Sequence, residues 1–344
     1  MKLYRIMPRA PFHFGERGIG QEETAEFPHS DTLFAALISA WQLMYEPAEF
    51  HRRVEGCTRF DGVPPLRLSS AFPYVGDVYF LPRPAILLEG TGGDRKRGKK
   101  VAYVSWRQAE DLVRSDVPSQ VQPGDTLMSG RLWLHPQEKA AVGKVFGTDD
   151  LAHVRLWSSA ESEAMARVTV DRVNAASALY YQGMVHFADG CGFYLLADVA
   201  DESYRKLLED GLHFLSEQGL GGRRSVGLGQ FTLEVGGERA LGVPDGEHNY
   251  HWLLSLYHPT AVEVEQRKVL EDARYTLVTR RGWIYSPNDA SQRRRAIRML
   301  AEGSLLPRPV IGDVVDVRPT TGFPHPVWRP GLALTISTRR WRDA

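Results

Sequence analysis

Several features that would point to a particular class of protein are scarce or absent in this 344-residue sequence. It has two cysteines, Cys57 and Cys191, and lacks C-x-x-C spacing, so neither a disulfide framework nor a cysteine-built metal site is expected. No apolar run approaches the ~20 residues of a membrane span, and the first residues lack the apolar core of a signal peptide. The sequence therefore predicts a cytoplasmic protein without a membrane segment.

Net charge is absent too. The chain has 42 basic and 42 acidic residues, so no global positive field attracts a polyanion. Most of the basic residues are arginines, which form bidentate phosphate contacts and stack on bases, although a GC-rich genome also enriches arginine. Any nucleic-acid binding must therefore use local patches of charge.

Strand and helix signals flank a long middle region of weak periodicity. With residues 48–182 set aside as an insertion, the remaining order is strand, helix, strand, strand, helix, strand. This is the order of a ferredoxin-like domain, and the predicted fold class is α+β. The strand signals lie at residues 2–13, 183–187, 191–199 and 229–236, and the helix signals at 29–45 and 202–218.

A stretch rich in glycine and turn-forming residues, 236–249, indicates a domain boundary. It divides the chain into residues 1–240, with the insertion at about 48–182, and residues 241–344, a smaller α+β domain. Within the insertion, the basic and glycine-spaced stretch 94–100 lies between apolar segments, which suggests the tip of a projecting hairpin.

The segment "GLGGRRSVGLGQF", residues 219–231, combines five glycines with Arg223 and Arg224. Glycine amides can approach an anion closely and form a nest, and guanidinium groups add charge-assisted hydrogen bonds. The loop follows a helix, precedes a strand and lacks the P-loop lysine, so nucleoside triphosphate and dinucleotide motifs do not fit. Two interpretations remain open: a contact with a nucleic-acid backbone, or a flexible turn with solvated arginines.

No catalytic set emerges from the remaining residues. The "GGD" at 92–94 resembles part of a two-metal site, but the surrounding cations would repel a metal. His13 and His186 could act as general acid and base in RNA cleavage, or could be ordinary strand residues. Asp31 lies at a helix start, where capping is a simpler role than metal binding.

Two groups of arginines occur in the last hundred residues: the pair Arg280–Arg281 and the run 293–298. A solvated surface is the simplest interpretation of both. Contact with RNA phosphates or with an acidic partner is the alternative.

An ordered set of these segments resembles the RAMP superfamily of CRISPR effector proteins. More narrowly, it is similar to the subunit of the type III-A effector, the Csm complex, that holds the 5′ end of the guide RNA. The similarity covers most of the chain and is thinnest between residues 105 and 165. The segments that carry it are "FHFGERGIG…FPHSDTLFAALISAW", "RLSSAFPYVGDVYFLPRP", "VDRVNAASALYY", "GLGGRRSVGLGQF" and "RRAIRMLAEGSLL…GDVVDV…HPVWRPGLAL".

The resemblance implies two ferredoxin-like, RRM-related βαββαβ domains, with a thumb hairpin carried by the large insertion. In the family this thumb inserts near the guide–target duplex and displaces a base pair. We place its tip at residues 92–100, with the basic residues Arg95, Lys96, Arg97, Lys99 and Lys100.

The resemblance also implies an RNA-binding site built from two loops. Phe12 and Phe14, beside the first loop, are candidates for stacking on bases. Residues 29–32 follow the first loop in the same motif. The implied RNA-binding residues are Phe14, Gly15, Glu16 and Gly18 in the first loop and Gly219, Gly221, Gly222, Arg223, Arg224, Ser225, Gly227 and Gly229 in the glycine-rich loop.

The implied function is that of a non-catalytic RNA-binding subunit in antiviral defence, without a cofactor or metal. The implied partners are the 5′ handle of the crRNA, the target RNA through the guide duplex, the large polymerase-like subunit and the backbone RAMP subunit. Two alternatives stay open: a metal-independent endoribonuclease of the same superfamily that processes precursor crRNA, and a nucleotide-binding regulator.

Overall fold

The computed structural model describes residues 1–15, 24–116, 120–159, 165–170, 177–244, 249–266, 269–284, 292–319 and 323–341. The helices are α1 Ser30–Met44, α2 Pro47–Thr58, α3 Arg95–Lys100, α4 Trp106–Arg114, α5 Lys139–Phe146, α6 Glu202–Gln218 and α7 Ala261–Glu265. No helix in these ranges is long and apolar enough to cross a membrane.

The strands of the first 240 residues are β1 Lys2–Pro8, β2 Leu66–Leu68, β3 Phe72–Val75, β4 Val78–Pro82, β5 Tyr103–Ser105, β6 Thr126–Leu127, β7 Leu132–Trp133, β8 Trp157–Ser158, β9 Met165–Val170, β10 Ser177–Gln182, β11 His186–Phe187, β12 Cys191–Val199 and β13 Phe231–Glu238. Those of the remainder are β14 Tyr250–Leu253, β15 Leu277–Arg280, β16 Ile297–Leu300, β17 Leu305–Leu306, β18 Gly312–Asp316, β19 Trp328–Leu332 and β20 Thr335–Thr338.

A nine-stranded sheet organises the first part of the chain. Its order is β13-β1-β12-β3-β4-β5-β7-β6, and β2 also pairs with β12. All neighbours are antiparallel except β5 and β7. Strand β1 therefore lies between β12 and β13, which begin only at residues 191 and 231.

The central strand β12 is buried on both faces, which explains its continuous apolar sequence. Phe193 and Leu195 belong to a core beneath α1 and α6, whereas Tyr194 and Leu196 face a second core that contains Trp252 of β14. Helices α1 and α6 thus pack on one face of the sheet, and C-terminal residues pack on the other face together with α4.

Helices α1 and α6 pack closely on the first face because a glycine lies where they meet. Trp41 Nε1 donates to the carbonyl of Leu207 over 3.0 Å. A Cβ at Gly211 would lie 2.7 Å from that same indole nitrogen, so a larger residue would separate the helices. The apolar spacing of residues 30–44 correctly predicted the helix and its buried face.

Two expectations from the sequence need correction. The strand beside β12 comes from β2 and β3 rather than from residues 183–187, of which β11 pairs with β8 instead.

The second correction concerns the basic stretch 94–100, which lies in the connection between the paired strands β4 and β5 but forms a packed helix rather than a projecting tip. Asp94 caps the short helix α3 by accepting hydrogen bonds from the amides of Lys96 and Arg97. Gly98 is buried against the backbone of Leu88, where an ideal Cβ would come within 1.7 Å of the carbonyl oxygen. A composition of five cations and one acid is compatible with a hairpin tip or with a helix. The Asp94 cap and the close contact at Gly98 show that the stretch is a helix.

The C-terminal residues form three small sheets: β17-β14-β20, β15-β16 and β18-β19. Trp252, Leu254 and Leu305 of this part lie in the core beneath the large sheet. Trp341 is anchored there as well, since its Nε1 donates to the carbonyl of Leu112 on α4 over 3.1 Å.

Candidate nucleic-acid interface

The two loops that the sequence singled out lie against each other. The amide of Gly222 donates to the carbonyl of His13 over 2.8 Å, and the amide of Gly229 donates to the carbonyl of Pro11 over 2.8 Å. Residues 11–15 and 219–229 therefore form one continuous surface, although more than 200 positions separate them in the sequence.

The glycines allow this close approach of backbones. A Cβ at Gly221 would lie 2.5 Å from the carbonyl oxygen of His13, and one at Gly229 would lie 2.2 Å from that of Leu220. Both residues also have positive φ, as does Gly219 at the end of α6. Each of these three positions is consequently closed to other residues.

The predicted nest of free glycine amides is wrong for four of the five glycines. Their N–H groups already donate within the protein, so they cannot also bind a phosphate. The donors and acceptors are Gly219 to Leu215, Gly222 to His13, Gly227 to Arg224 and Gly229 to Pro11. The glycines build the loop, and any ligand contact falls to other groups.

Those other groups lie at the tip of the loop. Arg223 has φ of +60°, a left-handed conformation that is uncommon for a residue with a Cβ and is often found at functional sites. A single 3-10 turn, Arg224–Val226, follows. Ser225 and Gly227 are exposed, and Val226 is 53% exposed. The tip thus presents two half-buried arginines and a small polar surface.

The aromatic rings beside the first loop are not available to bases. Phe12 and Phe14 are 0% and 3% exposed and stack on each other with centroids 5.4 Å apart. Both also pack against Phe193 of the central strand. Stacking by these rings, as the sequence suggested, is therefore incorrect, and Phe14 can contribute to the surface only through its backbone.

The first loop itself is described only in part. Gly15 is exposed. The implied RNA-binding residues Glu16 and Gly18 lie outside the described residues.

The two histidines considered for RNA cleavage lie on neighbouring segments. Phe12 and Val185 form a reciprocal backbone pair, which brings His13 and His186 to adjacent stretches of chain. His13 Nδ1 lies 2.8 Å from the carbonyl of Gly183, so that nitrogen is engaged in a structural hydrogen bond when it carries the proton.

Residues 29–32 join the two parts of the chain. The Asp31 carboxylate, only 2% exposed, receives two hydrogen bonds of 3.0 Å from Arg280 of β15. Nη1 of Arg329, on β19, lies 3.0 Å from the same carboxylate. Burial alone would raise the pKa of Asp31, but the charges of these two arginines hold it well below its usual range. Asp31 is therefore neither a helix cap nor part of a metal site.

A second polar contact flanks the first. His29 Nδ1 lies 2.7 Å from Oε1 of Glu302, which also accepts a hydrogen bond from the Ser70 hydroxyl. Burial would lower the pKa of His29, but the charge of Glu302 and its hydrogen bond together raise that pKa above its ordinary value. For the same pair, burial would raise the pKa of Glu302 and the charge of His29 lowers it. Both directions favour an imidazolium–carboxylate pair. No local pattern signalled these partners, which are about 250 to 300 positions away.

A cavity of about 540 Å³ lies elsewhere, between α1, α2 and Trp328. None of the predicted RNA-binding residues lines it.

Comparison with known proteins shows similarity to Csm4 proteins both in sequence and in fold. The family model of the CRISPR Csm4 C-terminal domain matches residues 246–338. The CRISPR system Cms protein Csm4 of Methanocaldococcus jannaschii is 24% identical over 350 residues, which cover 93% of this chain and 89% of that protein.

Two solved structures are similar in fold. One is a Csm3-Csm4 subcomplex of the type III-A CRISPR-Cas interference complex, with a TM-score of 0.63 and 20% identity, covering 97% of this chain and 98% of that chain. The other is a Csm1-Csm4 cassette in complex with cA4, with a TM-score of 0.60 and 20% identity, covering 100% and 99%. They support the mixed α/β architecture with one large sheet.

Proposed function

Since the chain is a type III Csm subunit similar to Csm4 proteins, we propose that it is a non-catalytic RNA-binding subunit that anchors the 5′ handle of the crRNA. The observation that carries this proposal is the direct contact between residues 11–15 and 219–229. Two segments that the family resemblance assigned independently to RNA binding form one surface.

Anchoring by this surface depends on a rigid loop with arginines at its tip. The amides of Gly222 and Gly229 hold the loop against residues 11–13. RNA binding therefore does not have to order the loop, which lowers the entropic cost of binding. Arg223 and Arg224 then supply charge-assisted contacts to phosphates, and exposed Ser225 adds a hydroxyl. A fixed handle is recognised by backbone contacts and shape rather than by a global field, in line with the zero net charge of the chain.

Two ferredoxin-like domains, residues 1–240 and 241–344, form part of the same proposal. The order β13-β1-β12-β2/β3 supports the first, because it places the fourth, first, third and second strands of a βαββαβ unit side by side. The family model that matches residues 246–338 falls within the second.

The thumb of the family fits hairpin β9–β10 better than α3. Met165–Val170 and Ser177–Gln182 pair with each other in full register and with no other described strand. A hairpin that belongs to no larger sheet is suited to insert beside a nucleic-acid duplex.

For its protein neighbours, we propose counterparts of Csm1 and Csm3, the proteins seen with Csm4 in the two similar structures. These would be the large polymerase-like subunit and the backbone subunit. The chain would contact target RNA where the target pairs with the guide.

The test is guide binding by the assembled complex at several salt concentrations. Replacing both Arg223 and Arg224 with alanine should weaken guide binding and reduce the salt dependence, by about 0.7 in log–log slope for each lost phosphate contact. Arg114→Ala, at an exposed arginine on α4, is the matched control. Unchanged affinity and slope in the double variant would show that this loop does not hold the guide.

A cleavage assay separates this function from the endoribonuclease alternative. The purified chain is incubated with repeat RNA without metal, beside His13→Ala and His186→Ala. We expect no specific cleavage by any of the three. Cleavage by the wild type that either substitution abolishes would replace the present proposal with the enzymatic one.

A further inference from the structure

Hairpin β15–β16 is rich in positive charge, although the chain as a whole has a net charge of zero. Residues 277–284 and 292–300 include six arginines and no acidic residue. The sequence left open whether these arginines are merely solvated or contact a partner. Their distribution over the two faces of the hairpin decides between these possibilities.

The two faces differ in what their arginines contact. Arg280 lies opposite Ile297, and its guanidinium turns inward to Asp31. Thr279 lies opposite Arg298, and both are exposed. Since directly opposite residues share a face and successive residues alternate, Arg298 lies on the side away from Asp31.

The exposed face continues towards the end of the hairpin. Trp283 and Arg293 are paired across it, and the Arg293 guanidinium lies 5.1 Å from the centroid of the indole ring. Trp283 is 43% exposed, and Arg281 is exposed as well, whereas Ile284 is 5% exposed. We call Arg281, Trp283, Arg293 and Arg298 the arginine face.

Its guanidinium groups have no counter-charge in the part of the chain that the structure describes. Arg281, Arg293 and Arg298 form no ion pair with any described carboxylate. A cluster of arginines without a described carboxylate partner, beside a half-exposed indole, combines a phosphate-binding charge with a surface on which a base stacks.

We propose that the arginine face binds single-stranded RNA, with its arginines on phosphates and Trp283 stacked on a base. This second contact, on the C-terminal part, rests on the proposed function and extends it beyond the two loops. An acidic protein surface would match the charge but would give no role to the exposed indole, so RNA is the favoured ligand.

The experiment uses the assembled complex with a guide RNA that carries 4-thiouridine. After irradiation, we expect an RNA adduct on the peptide that contains Trp283. In binding measurements over a range of salt, Arg281→Gln with Arg298→Gln should lower the log–log slope by about 1.4 in total, or about 0.7 for each contact. Trp283→Ala should weaken binding about 5- to 150-fold, the range of one lost base stack.

Conservative variants guard against loss of folding. Trp283→Tyr should restore most of the affinity, and Arg298→Lys should keep the slope. Arg308→Gln, at another exposed arginine of the C-terminal part, should change neither quantity.

The outcomes separate this inference from the proposed function. If the Arg223 and Arg224 variant weakens RNA binding while the arginine-face variants match wild type, the inference is overturned and the function stands. If neither set of variants alters binding, both are overturned. If the arginine-face variants lose a protein subunit of the complex but leave the RNA slope unchanged, the face is a protein interface and the inference fails.

Discussion

Replacing Asp31 with asparagine tests how the two parts of the chain are held together. Asparagine keeps the shape of the side chain and removes its charge. The Arg280 and Arg329 guanidiniums, whose side chains are 11% and 3% exposed, then lose their shared counter-charge. Arg294 lies nearby with a half-buried side chain, and burial lowers its pKa.

The magnitude follows from the balance of charge. At an effective dielectric constant of about 20, a charge pair about 4 Å apart attracts by about 4 kcal/mol, similar to the desolvation cost of several kcal/mol per ion. The intact cluster is therefore close to neutral in free energy, but removing the Asp31 carboxylate leaves like charges buried together. We expect the free energy of unfolding to fall by about 3–5 kcal/mol.

Removing one arginine of the cluster should lower the free energy of unfolding less than removing the carboxylate does. Arg329→Met removes one of the excess positive charges and fills the space with an apolar side chain, so we expect a loss below about 2 kcal/mol. Asp77→Asn is the control, because that side chain is 95% exposed and lies 3.7 Å from Arg5. A change below about 0.5 kcal/mol is expected there.

Urea unfolding followed by tryptophan fluorescence measures all three variants. The reasoning is refuted if Asp31→Asn lies within about 1 kcal/mol of wild type, or if Arg329→Met costs as much as Asp31→Asn. Either result would mean that the carboxylate does not balance the buried guanidiniums.

Three further predictions concern glycine, pH and thiols. Gly229→Ala should destabilise by more than about 3 kcal/mol because its Cβ would meet a backbone carbonyl, whereas Gly227→Ala, with open space around it, should cost only the ~1–2 kcal/mol of a left-handed residue; equal losses in urea unfolding would contradict this. His29 has a raised pKa in the folded state, so its stabilisation is complete below its ordinary pKa of 6.5 and is lost as pH rises through the raised value. The difference in unfolding free energy between wild type and His29→Gln should therefore shrink with rising pH, and a growing difference would reverse the assigned charge state. Burial raises the pKa of both Cys57 and Cys191 to about 12, so a thiol reagent at pH 8 should label them only after unfolding, and rapid labelling of the native chain would show that they are accessible.

Local patterns predicted local structure well. The helical spacing of residues 30–44 gave α1, and the apolar run with a following glycine gave α6 and its end at Gly219. In each case the signal and the structure lie within about 20 residues.

Interactions between distant segments could not be predicted in the same way. Nothing near Asp31 indicates that its partners lie on β15 and β19, and nothing in β3 indicates that it adjoins β12. The glycine-rich loop shows both what local sequence can predict and what it cannot. Its composition located the candidate site, but only the structure shows that four of its five glycine amides already donate, two of them to the carbonyls of Pro11 and His13.

The position of β1 between β12 and β13 has a consequence for synthesis of the protein. The ribosome makes Lys2–Pro8 long before its two neighbours in the sheet, since β12 is complete at residue 199 and β13 at residue 238. At about 5 to 20 residues per second, both edges of β1 stay unpaired for about 10 to 40 s, until β12 has been made. Nascent or stalled chains that end before residue 190 therefore expose a ready template for intermolecular strand pairing and should aggregate.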